Sequence, residues 1–328
     1  MSKQRWLIVV PTAVAVIFVY WLIKAAGSPT IERCKEYKIY PSPDGRYVLL
    51  EQTQTGKVGL YSPHAKRVQK WFDPDYRIPI VGRGFWSHDS KRFLLLSEEQ
   101  SAFVVIEVET LATKHKKVSD PSLKASLSPN GSVVFAEQEE GIFIWNVDSD
   151  IADEVKLAVE QVIDLSTITW VDSRTVLLQF GVRRPRWIVY NIEEGRFTNL
   201  PLQISGRVTL FPYANSEKQV PLLVSTADVQ WVGLIDLKTR AVRQVLALPS
   251  SPNGTAEKWV PYFWNNNPNF PVFSRYLERE RKLEVIRVNL QAGRILGQTY
   301  LESPFGIDAS GQIWTCQHGY LVRVNSLE

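Results

Sequence analysis

Four histidines, His64, His88, His115 and His318, and a scatter of aspartates are the side chains that could do acid–base or metal chemistry. A metal site needs donors that converge, and local pairs at fixed spacing are their usual signature. No two of these histidines have that spacing, and His88 stands in a turn. The chain carries no nucleophile elbow, no His-Glu pair at helical spacing and no glycine-rich phosphate cradle. Asp44, Asp89 and Asp172 instead recur in short turn contexts. There a carboxylate oxygen accepts nearby backbone N–H groups, which makes these residues turn caps. The residues therefore point to no catalytic group, no cofactor and no metal. A site assembled from distant segments is the alternative.

The charged clusters suggest recognition. Glu98 and Glu99 lie in Ser97-Glu98-Glu99-Gln100, and Glu139 and Glu140 in Glu137-Gln138-Glu139-Glu140. Arg183, Arg184 and Arg186 surround Pro185, and Arg275, Arg279 and Arg281 precede Lys282, with Glu278 and Glu280 among them. Guanidinium groups bind carboxylates in bidentate fashion, and arcs of opposite charge orient a partner and speed encounter. A merely solvated surface is the competing reading. Aromatic residues also crowd two long connections, Trp71, Phe72 and Tyr76 in one, Trp259, Tyr262, Phe263 and Trp264 in the other. Exposed, they would be contact residues; buried, they would plug the loops. The formal net charge is +4, with neither a polybasic tail nor a nucleic-acid motif, so no nucleic acid is expected.

These clusters sit between short alternating strands. Ser42-Pro43-Asp44-Gly45-Arg46 is a tight turn followed by Tyr47-Val48-Leu49-Leu50. Pro sets φ at one turn position and Gly accepts positive φ at another. Related turns centre on Asp89, Asn130, Asp172 and Asp308, with two degenerate ones at Asn215 and Asn265 to Asn267. The first four anchors are 45, 41 and 42 residues apart. Each turn is followed by a second apolar element, such as Phe103 to Val108 or Ile142 to Val147. Four short strands per unit cannot bury both faces of their sheet alone, and radial packing of such sheets solves this. Seven blades fit the anchors; six or eight, or a β-sandwich, are alternatives.

The Ser-Pro-Asp-Gly-Arg turn with its apolar strand resembles the WD40-like repeats of TolB-type β-propellers. Ile144-Trp145-Asn146-Val147 and Val189-Tyr190-Asn191-Ile192 are similar to the third strand of those repeats. The resemblance covers nearly all of residues 34 to 328. It implies a propeller and an interaction platform, though some propellers are enzymes.

Two cysteines, Cys34 and Cys316, lie near opposite ends of the chain. The last unit lacks a fourth strand, and the segment Ile31 to Lys38 is available to fill it. That would bring Cys34 and Cys316 into one blade, where a disulfide could lock the ring; two unrelated thiols are the alternative. Ahead of them, Trp6 to Ile23 is apolar except for Thr12, and 18 residues at helical rise span about 27 Å. Lys3 and Arg5 precede it and Lys24 ends it. It reads as a signal anchor, with a cleaved signal peptide or a soluble element as alternatives.

The combined expectation is an all-β propeller of about seven four-stranded blades, preceded by one transmembrane helix. Residues 1–5 form a flank, 6–24 the membrane helix, 25–33 a linker and 34–328 the propeller. It would be single-pass, with its body on the exported side and residues 6–24 contacting membrane lipid. It would bind membrane or envelope proteins through its loop face. An envelope enzyme or small-ligand sensor using the central funnel is the alternative.

Overall fold

The computed structural model describes residues 34–79, 84–119, 124–138, 141–156, 165–181, 185–250, 257–262, 267–301, 305–317 and 320–324. They form seven antiparallel sheets, or blades, that follow the chain without crossovers: 37–71, 76–117, 125–156, 165–200, 207–247, 260–301 and 305–324. Blades 1 to 6 have four strands each, and blade 7 has three among the described residues.

Burial explains the strand sequences. The second and third strands of blade 2, Arg92–Ser97 and Ala102–Glu107, are almost wholly buried. They have a neighbouring blade on each face, so they read as continuous apolar runs instead of alternating. The fourth strands, such as Thr113–Lys117 and Ile151–Lys156, lie at the rim and are largely exposed and polar.

All seven expected turns join the first and second strands of their blades. In each, one side-chain oxygen accepts the amide two residues on. The pairs are Arg46 to Asp44 (3.0 Å), Lys91 to Asp89 (3.1 Å), Ser132 to Asn130 (3.2 Å) and Arg174 to Asp172 (2.9 Å). Glu217 to Asn215 (3.0 Å), Asn269 to Asn267 (3.2 Å) and Ser310 to Asp308 (3.0 Å) complete the set. Ser42, Ser87 and Ser128 add a second clasp by donating to Asp44, Asp89 and Asn130 at 2.8, 2.7 and 2.8 Å.

Hydrogen bonds also stitch every blade junction. Asp44 N donates to Ser90 Oγ (3.1 Å), His88 N to the Pro129 carbonyl (2.7 Å) and Trp170 Nε1 to Ser126 Oγ (3.0 Å). Trp170 N donates to the Pro212 carbonyl (2.8 Å), Gln230 Nε2 to the Trp259 carbonyl (2.9 Å) and Asn267 Nδ2 to the Ala309 carbonyl (2.9 Å). Ala309 N then closes the ring on the Pro43 carbonyl (3.1 Å). The innermost strands of blades 7 and 1 pack so closely that a Cβ on Gly306 would lie 2.8 Å from the Ile39 carbonyl oxygen. Only glycine permits that approach.

Closure departs from the sequence reading. Cys34–Glu36 is a single 3-10 turn and Tyr37–Pro41 is the first strand of blade 1, so neither supplies a fourth strand to blade 7. Cys34 and Cys316 are joined by a disulfide with their Cα atoms 5.6 Å apart. It ties the entry to blade 1 onto the second strand of blade 7.

The membrane reading also requires correction. The expected helix over 6–24 and its flanks 1–5 and 25–33 lie outside the described residues. Among the described residues no helix is long and apolar enough to cross a membrane, and Cys34–Glu36 is the only helical turn. The signal anchor, the lipid contact through residues 6–24, the single-pass exported placement and the membrane or envelope partner that depended on it therefore lose their support.

Candidate functional site

Two places on such a ring could carry function: the axis and the hairpin loops. At the axis, Tyr213 follows the first strand of blade 5, and its side chain points inward. Its hydroxyl donates to the Trp86 carbonyl of blade 2 (2.9 Å) and lies 3.3 Å from the Leu127 carbonyl of blade 3. A side chain from blade 5 that meets blades 2 and 3 spans the axis. Its ring packs edge-on against His88, with centroids 4.3 Å apart. A Cβ on Gly84 would come within 2.7 Å of the Tyr213 hydroxyl, so the glycine makes room for this stopper. Burial pushes the Tyr213 phenol far above its ordinary value. It stays a neutral hydrogen-bond donor.

The titratable side chain placed against it is His88, and desolvation holds that imidazole down to about 4, so it is neutral at pH 7. Among the described residues no group of three His, Cys, Asp or Glu side chains could hold a metal ion. His64 and His115 are exposed and far apart in the chain, and His318 lies outside the described residues.

The loops between second and third strands all lie at the end of the ring opposite the aspartate turns, because successive antiparallel strands reverse direction. In blade 2, Glu98 and Glu99 are exposed at the hairpin tip, and Glu98 stands 3.7 Å from the Arg77 guanidinium. In blade 4, Arg186 opens the third strand, exposed and across from Phe180. In blade 6, Arg279 and Arg281 are exposed at the tip between Val272–Leu277 and Lys282–Asn289. Arg183, Arg184, Glu139 and Glu140 lie outside the described residues.

Arg275 is placed differently. It is 4% exposed, inside the second strand of blade 6, and its Nε donates to Glu284 on the neighbouring strand at 2.5 Å. Its guanidinium lies over the Trp259 ring, 4.3 Å from the centroid, and donates to the Pro249 carbonyl (3.1 Å). It holds the connection from blade 5 to blade 6. The aromatic connections behave alike: Phe72, Tyr76, Trp259 and Tyr262 are buried, Trp71 is half-buried, and Phe263 and Trp264 lie outside the described residues.

No protein-family model matches the chain, and no curated protein matches it. Solved structures do. The β-propeller domain of Cps50 (Swd1) from Myceliophteria_thermophila superposes with a TM-score of 0.58 at 13% identity, over 88% of this chain and 96% of that one. An oligogalacturonate lyase from Vibrio parahaemolyticus gives 0.58 at 10% identity, over 88% and 82%. A streptogramin B lyase gives 0.54 at 11%, over 91% and 96%. The chain has a WD40/TolB-like seven-bladed β-propeller fold. At these identities the likeness is one of fold, and the fold hosts both catalytic and non-catalytic proteins, so function must be argued from the site.

On this propeller the axis and the loop end differ in kind. At the Tyr213 level the axis holds aromatic rings and backbone carbonyls. The loop end presents Glu98 and Glu99 on blade 2 and Arg186, Arg279 and Arg281 on blades 4 and 6. Sequence reasoning missed the stopper because its partners are 86 and 127 residues away. It also missed a second set of turn caps at the ends of third strands. Asn146, Asn191, Asp236 and Asn289 accept the amides of Ser149 (3.1 Å), Glu194 (3.1 Å), Thr239 (3.0 Å) and Ala292 (2.9 Å). Their recurrence every 45 to 53 residues was a readable signal.

Proposed function

We propose that this propeller is a non-catalytic interaction platform that captures a partner protein on its loop end. The observation that supports this reading most is the contrast between a stoppered axis and an exposed array of opposite charges on separate blades. Rigid blades fix the spacing of these loops, so a partner with complementary charges meets a preformed surface. The acidic tip of blade 2 favours a basic patch, and Arg186, Arg279 and Arg281 favour carboxylates, which guanidinium groups bind in bidentate fashion.

The test is charge reversal in the full chain. The triple variant R186E, R279E and R281E should lose most of the proteins that co-purify with the unmodified chain, at least tenfold by quantitative mass spectrometry. Reversal of Lys91 and Arg174, near the aspartate turns at the opposite end, should leave capture intact. Equal recovery with the triple variant removes the loop end as the capture surface.

A further inference from the structure

Among the described residues, blade 7 has no strand outside its third. In blade 1 the third strand, Val58–Ser62, is buried throughout and covered by the fourth, Arg67–Trp71. In blade 7 the third strand, Tyr320–Val324, is the sheet edge among the described residues. Leu321, Val322 and Val324 are only half-buried there, and Arg323 is exposed. A strand with the apolar composition of an interior position thus occupies a rim position. Among the described residues no strand pairs with its outward N–H and C=O groups, which form a template for another strand.

A groove of about 1050 Å³ lies between this edge and blade 1. Tyr47, Tyr61, Trp314 and Leu321 give it apolar walls. Arg46, Lys66 and Arg323 line it as cations, and no carboxylate does. Asp44 neutralises part of Arg46, and the buried Asp308 lies 3.7 Å from Arg323. Arg323 is further held over the Trp314 ring, 5.5 Å from its centroid. Lys66 stands exposed on the turn between the third and fourth strands of blade 1.

We propose that this groove takes an extended acidic peptide segment of a partner protein, which adds to blade 7 as its fourth strand. The pairing gives the peptide backbone its hydrogen bonds, alternate side chains enter the apolar walls, and the outward acidic side chains meet Lys66, Arg46 and Arg323. Five residues of Tyr320–Val324 offer about 17 Å of edge, enough for a five- to six-residue strand. This surface lies beside the turns and is separate from the loop end, so either can fail alone.

The probe is a fluorescein-labelled heptapeptide alternating glutamate with valine, titrated by anisotropy into the full-length protein. Saturable binding is expected, with slowed amide exchange at 320–324. The same peptide with a central proline should bind at least tenfold more weakly, because proline breaks the pairing. The double variant K66E and Q69E alters two exposed groove residues. It should weaken the glutamate peptide at least tenfold, keep its thermal midpoint, and prefer a lysine–valine peptide. Binding without protection at 320–324, or binding indifferent to proline and to charge reversal, overturns the proposal. So does full protection of these amides in the protein alone, which would mean that the chain itself already covers the edge.

Discussion

The hydroxyl of Tyr213 donates to the carbonyl of Trp86, 127 residues earlier in the chain and on a blade three positions away around the ring. This single bond converts a ring of neighbour-to-neighbour contacts into one with a cross-brace. Removing the hydroxyl leaves the carbonyls of Trp86 and Leu127 facing a buried ring edge. An orphaned buried acceptor costs about 1–3 kcal/mol. Y213F should therefore lower the unfolding free energy by about that amount in urea titration, although it deletes one atom. An unchanged midpoint would show that the axis does not depend on the brace.

The two arginine environments of blade 6 should separate cleanly. Arg275 is enclosed with Glu284, which also accepts from Gln298 Nε2 at 2.5 Å. Deleting one partner of a buried pair leaves an uncompensated charge and costs about 3–5 kcal/mol. R275A should thus destabilise strongly, whereas R281A, at an exposed tip, should leave thermal unfolding unchanged and affect only partner capture.

That contrast shows where the sequence was legible. The turns were readable because an Asx cap needs a short side chain at one fixed position, and even the degenerate Asn215 and Asn267 kept it. Arg275 was read as a loop residue because it stands in one charged cluster with Arg279, Arg281 and Lys282. The structure pairs Leu277 with Lys282 and so sets Arg275 opposite Glu284, a register that no local sequence feature fixes. The apolar run at 6–23 was read as an anchor from hydropathy alone, and it lies outside the described residues. Blade closure was legible only in part. The two cysteines marked the ends that meet, but nothing local showed that Cys34–Glu36 would be a 3-10 turn.

Acid stability should follow the aspartate turns. Burial raises the Asp44 carboxyl, but hydrogen bonds from Arg46, Ser42 and Ser90 outweigh this and hold it below its ordinary value. Asp172 behaves alike, with burial opposed by Lys218, Arg174 and Thr175. A folded pKa below the unfolded one contributes stability that is present above the unfolded value and is lost as pH falls through the folded value. Desolvation also holds the His88 imidazole down to about 4, so stability should begin to fall as pH drops below the ordinary histidine value and fall further below about pH 4, the reference range of aspartate. NMR titration should place the Asp44 midpoint below that range. D44N, which copies Asn130 of blade 3, should keep the turn and flatten part of the acid drop.

The Cys34–Cys316 bond closes a loop of 282 residues. Restricting so long a loop in the unfolded chain stabilises the ring by about 5 kcal/mol in the chain-entropy treatment. Thiol titration of the denatured, unreduced protein should find no free thiol. Reduction should lower the midpoint of the native protein and leave C34S/C316S unmoved. Equal midpoints with and without reductant would show that the turn contacts between blades 7 and 1 close the ring unaided.

The loop-end platform is tested most directly by amide hydrogen exchange of the full chain with and without its co-purified partner. Protection should appear at the tips of blades 2, 4 and 6, around residues 98–101, 185–187 and 278–282, and nowhere along the strands flanking Tyr213. Protection centred on the axis, with these three tips unchanged, would contradict the account.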